Sequence, residues 1–61
     1  MSEEYVVVKI MHNFNVGYDF AVSLFHDLED KKLLDDYKLN IDKIETYEDF
    51  HERYYGNISA K

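Results

Sequence analysis

The sequence predicts an α+β fold: a small three-stranded antiparallel β-meander with one C-terminal helix packed on one face, in the order β-β-β-α. Three observations predict it. Two stretches in the first 24 residues alternate side chains with a period of two. A shorter stretch near residue 40 does the same. A capping signal near residue 46 then precedes aromatic residues at helical spacing.

Residues 5–11 are rich in β-branched side chains. Val6, Val8 and Ile10 would form an apolar face, with Tyr5, Val7, Lys9 and Met11 behind it. Asn13, Asn15 and Gly17 then offer a reversal, because Asn and Gly tolerate positive φ. From Phe14 to Leu24 the alternation is unbroken. Phe14, Val16, Tyr18, Phe20, Val22 and Leu24 fall on one side, as in a half-buried strand. A competing reading starts a helix at Asp19 and carries it over about 19–31, giving β-α-β-α. Its stripe would be Phe20, Ala21, Leu24, Phe25 and Leu28. The strand is preferred because the residues are aromatic and β-branched and because the alternation begins well before Asp19.

The third strand would turn Tyr37, Leu39 and Ile41 inward, with Ile44 marking its exit. Thr46 is placed to cap a helix, and Glu48 and Asp49 suit the positive end of its dipole. Tyr47, Phe50 and Tyr54 follow at helical spacing, and Gly56 is placed to end the helix in the left-handed conformation. The spacing predicts a helix over residues 47–55 and a frayed tail over 57–61.

The chain has 61 residues, enough for a single domain, 1–61. A domain of this size buries only roughly 60% of the surface its unfolded chain exposes, so its stability is marginal. It has no cysteine, so no disulfide supports it and no thiolate can hold zinc. Support is expected from a second subunit or a partner, with a homodimer as the expected form. Hydrophobic residues at 46% and aromatics at 16%, with no proline, separate the chain from disordered sequences.

The net charge of −6 argues against a direct grip on nucleic-acid phosphate. The acidity belongs to residues 27–52, which hold ten acids and four bases. From these an acidic partner-binding face is predicted: Asp35, Asp36, Asp42, Glu45, Glu48, Asp49 and Glu52. A second, apolar face of the sheet would keep Tyr5, Val7, Met11 and Phe25 for a partner or a dimer mate, since exposed apolar patches mark interaction sites. Tyr18, Tyr47 and Tyr54 read as core or boundary residues, and Tyr5, Tyr37 and Tyr55 as contacts. The acidic start, Met1-Ser2-Glu3-Glu4, is unlike a secretory signal, and no apolar run approaches a membrane span. A cytoplasmic protein is expected.

No pattern points to catalysis, a cofactor or a metal. His12, His26 and His51 are far apart and lack a ligand spacing such as i, i+4. Ser23 has no glycine-rich elbow beside it, and Thr46 is explained as a cap. The pairs Asp35-Asp36 and Glu48-Asp49 read as solvated acids rather than an acid–base couple. The expected function is therefore that of a small acidic protein-binding domain. Two alternatives stand beside it: a nucleic-acid mimic blocking the basic groove of a nucleic-acid-processing enzyme, and a structural or assembly subunit of a larger complex. In length, acidity, tyrosine content and lack of cysteine the chain resembles the small inhibitors encoded by phages and other mobile elements. That resemblance is one of type, carried by no motif. It implies stoichiometric inhibition or regulation of a host protein and assigns no residue a role.

Overall fold

The protein is described over residues 2–56 by a computed structural model. These residues form four helices, α1 (Glu3–Phe14), α2 (Tyr18–Asp30), α3 (Leu34–Leu39) and α4 (Tyr47–Tyr54). No strand occurs among them. The predicted α+β meander is therefore corrected to an all-helical fold, and so is the β-α-β-α alternative, although α2 covers the helix that the alternative proposed. The predicted tail, 57–61, lies outside the described residues.

The burial of α1 shows why the strand reading fails. Val6, Val7, Ile10 and Phe14 are buried, a stripe at i, i+1, i+4 and i+8. A strand would bury Val8 with Val6 and Ile10. Instead Val6 and Ile10 are fully buried while Val8 is 41% exposed. Valine costs a helix less than about 0.7 kcal/mol per residue, and burying the stripe outweighs that. The ends are well built. Ser2 Oγ accepts the Tyr5 N–H at 3.1 Å, and Glu3 and Glu4 occupy the first turn. At the other end Asn15 is left-handed, with φ 57°, and Val16 N–H reaches Met11 C=O at 3.2 Å.

In α2 the buried stripe is Ala21, Leu24, Phe25 and Leu28. Tyr18 and Phe20, placed inside by the alternation, are 63% and 46% exposed. Gly17, not Asp19, is the N-cap, and Asp19 sits in the first turn. The helix closes in a Schellman motif: Leu33 N–H bonds Leu28 C=O at 2.8 Å and Lys32 N–H bonds Glu29 C=O at 3.1 Å. The motif forces Lys32 to φ 62°, a conformation that favours glycine. Lys32→Gly is therefore expected to raise stability by up to about 1 kcal/mol in a denaturant titration. A fall would mean that the lysine side chain supplies a contact worth more than the backbone strain.

The third predicted strand is replaced by α3 and a turn. Tyr37 and Ile41 are buried, but Leu39 is 84% exposed, so the three do not share a face. Asn40 Nδ2 donates to Asp36 C=O at 2.8 Å, closing the helix, and Ile44 N–H bonds Asn40 C=O at 3.0 Å. The α4 helix lies where the sequence places it. Thr46 Oγ1 accepts the Asp49 N–H at 3.1 Å. Tyr55 N–H closes its last turn on His51 C=O at 2.7 Å, and Gly56 does not take the left-handed conformation predicted for it, since no described glycine has positive φ.

The α2 helix packs against both α1 and α3. The core is centred on Val6, Ile10, Leu28, Tyr37 and Phe50. The Phe50 ring lies 5.1 Å from that of Phe14, 5.6 Å from Tyr37 and 5.2 Å from Tyr54, joining α1, α3 and α4. Tyr37, expected inward on the third strand and also as a contact, is fully buried, because one turn of α3 aims it at Phe50. Among the described residues its hydroxyl has no hydrogen-bond partner, and burial pushes its pKa up to about 12. An unbonded buried hydroxyl costs about 1–3 kcal/mol. Tyr37→Phe is expected to raise the melting temperature, and a clear drop would show that the hydroxyl is bonded.

Candidate partner-binding surfaces

Two carboxylates of the acidic half turn out to hold the fold. Asp36, on α3, accepts from Arg53 Nε at 2.9 Å, Arg53 Nη2 at 3.2 Å and the Tyr54 hydroxyl at 2.8 Å. Asp27, on α2, accepts from Lys31 Nζ at 2.6 Å and from the Tyr55 hydroxyl. These contacts hold each carboxyl below its ordinary pKa. Arg53 and then Tyr54 lower that of Asp36; Lys31 and then Tyr55 lower that of Asp27. Burial, and then the adjoining carboxylate, raises the pKa values of Tyr54 and Tyr55. The two tyrosines thus pin the end of α4 to two different helices. The i, i+4 spacing of Asp27 and Lys31 is legible in the sequence. The links across 17 to 28 residues are not.

The other predicted acids are spread out. Asp42 pairs with Lys9 at 3.5 Å and lines a shallow polar groove with His12, Asn13 and Glu45. Asp35 lies in a separate groove with Glu29, Lys32 and Leu34. Glu48 and Glu52 line a third, on α4, with Tyr47 and His51, and Asp49 is exposed on the first turn of that helix. Asp36 is taken up by its Arg53 pair, and Asp27 and Asp42 pair with Lys31 and Lys9.

The predicted apolar sheet face is likewise rearranged. Val7 and Phe25 are 3% and 5% exposed, core residues rather than a free face. Met11 is partly buried against the core, and Tyr5 remains exposed. Helical geometry makes the difference, because it rotates Val7 toward the core stripe and leaves Val8 and Tyr5 outside. His12, His26 and His51 are all exposed, and His26 Nδ1 lies 3.4 Å from Glu29.

Between α1 and α2 the structure leaves an open groove lined by Ser2, Glu3, Glu4, Val7, Val8 and Tyr18. No residue of α3 or α4 lines it. The flank of α2 that meets α4 carries Phe20 and Asp27, which reach Tyr47 and Tyr55. Tyr18 and Val22 lie on the opposite flank by helical spacing. The sequence reading missed Val8 and Tyr18 because period-two alternation placed both inside. Their signal was helical: neither falls on the buried stripe of its helix.

Comparison with protein-family models, with curated proteins and with solved structures finds no match for this chain. No helix among the described residues is long and apolar enough to cross a membrane.

Proposed function

We propose that this chain is a small protein-binding domain, acting as a stoichiometric inhibitor or regulator of a protein partner and not as a catalyst. The observation that carries this reading is the uncovered α1/α2 groove. Val8 is 41% and Tyr18 63% exposed, and both line this one groove, whereas Leu39, also exposed, lies on α3 away from it. Apolar and aromatic side chains held on rigid helices are what anchor protein interfaces. The absence of cysteine accords with a cytoplasmic setting.

The nucleic-acid-mimic reading is the weaker one, because the acids divide among separate grooves and two serve as structural acceptors. Affinity purification of the tagged chain, compared with Val8→Glu and with Leu39→Ser as a surface control, tests the proposal. Val8→Glu is expected to lower the captured stoichiometric partner by roughly tenfold or more, as loss of an interface anchor does. Leu39→Ser should leave capture unchanged. Equal capture by all three proteins would remove the groove from the binding site.

A further inference from the structure

We propose that the α1/α2 groove receives a cationic amphipathic helix, with apolar side chains seated on Val8 and Tyr18 and basic side chains meeting Glu3 and Glu4. This rests on the protein-binding reading and names the chemistry of the partner. The groove has an apolar floor and an acidic end. Val8 and Tyr18 supply its exposed apolar surface, and Glu3 and Glu4 stand together at the start of α1.

Neither glutamate has an ion-pair partner among the described residues. The one base in residues 1–26, Lys9, turns away to Asp42 at 3.5 Å. The groove therefore presents two carboxylates without an ion-pair partner among the described residues, beside an apolar strip. A partner helix with basic residues flanking its apolar stripe complements both features. Charge complementarity of this kind speeds encounter and fixes register.

The same charges argue against a second copy. In a two-fold contact through this groove each surface meets itself. Glu3 and Glu4 would then add negative charge to a shared interface holding no cation from either groove. Phosphate-bearing partners are repelled by the same acids. The groove runs along residues 2–8, at the start of α1, roughly 9 Å, so a partner helix of about two turns spans it.

The test uses the full chain and two synthetic helical peptides sharing one leucine stripe, one flanked by lysines and the other by glutamates. Calorimetric titration is expected to show one-to-one binding of the lysine peptide, roughly tenfold tighter than the glutamate peptide. Glu4→Gln should weaken the lysine peptide, and Glu4→Lys should erase the preference. Tyr18→Ala and Val8→Glu should weaken binding of the lysine peptide. Asp30→Lys makes the same change in net charge on an exposed site outside the groove and should leave the preference intact.

Equal binding of the two peptides would overturn the inference, as would equal losses from Glu4→Lys and Asp30→Lys. Sedimentation showing a dimer that Val8→Glu dissolves would also overturn it, by placing a second copy in the groove. If Val8→Glu still abolishes capture of the natural partner while the peptides bind equally, only the partner chemistry is wrong. If Val8→Glu leaves capture unchanged as well, the protein-binding reading of the groove fails with it.

Discussion

Replacing Phe50 with alanine is expected to lower the melting temperature by roughly 12–40 °C and to leave the chain largely unfolded at physiological temperature. Phe50 is fully buried, and its ring packs on Phe14, Tyr37 and Tyr54. Truncating a buried phenylalanine costs about 3–5 kcal/mol through lost transfer energy and the cavity left behind. A 61-residue domain has roughly 3–9 kcal/mol in all. One substitution therefore removes most of the stability.

Because Phe50 joins three helices, the loss should be cooperative. Helical circular dichroism should fall as one transition across the chain, not as the loss of α4 alone. Leu39→Ala, at 84% exposure, is the matched control and should change stability by less than about 0.5 kcal/mol. A Phe50→Ala protein that melts near the parent would mean that the core does not depend on α4.

The second large effect is a pH-dependent release of α4. Asp27 and Asp36 both have pKa values below the ordinary carboxylate value in the folded protein. Their contribution is therefore complete above about pH 5, where the unfolded carboxyls are ionised, and is lost as pH falls through the lower folded values. The tyrosines act at the other end. Tyr37, Tyr54 and Tyr55 have raised values in the folded state. Their contribution is present below about pH 10 and is lost as pH rises beyond it.

Stability is thus expected to hold between these limits and to fall outside both. In acid the amides of α4 should exchange before those of α1 and α2, since Tyr54 and Tyr55 lose their acceptors. Asp36→Asn should lower the melting temperature at neutral pH and flatten its decline in acid. A variant whose acid decline matches that of the parent would show that the Asp36 contacts add nothing to folding. Both carboxylates are roughly 40% exposed, so salt should reduce the effect.

The Phe50 and carboxylate effects also separate two kinds of legibility. The α4 helix was readable because its signals are local: a hydroxyl at Thr46, acids in the first turn, and Phe50 and Tyr54 at helical spacing. The role of Asp36 was not, because its partners lie 17 and 18 residues away and meet it only after α3 and α4 pack. The groove was half legible. An apolar surplus needing a partner was predicted, but Val7 and Phe25 went to the core while Val8 and Tyr18 stayed outside.

By itself the sequence determined the acidic charge, the cap at Thr46 and the helix after it. Only the tertiary structure decided between strand and helix for residues 5–41. In residues 5–11 the apolar side chains are dense enough to fit a period of two or a helical stripe. The choice falls to which set can be buried together. Val6, Val7, Ile10 and Phe14 of α1 join Ala21, Leu24, Phe25 and Leu28 of α2 in one core, and Tyr37 and Phe50 complete it. That packing outweighs the modest β preference of a valine run. It also sets the outer surface, because the turn that brings Val7 inward leaves Val8 and Tyr18 facing the open groove.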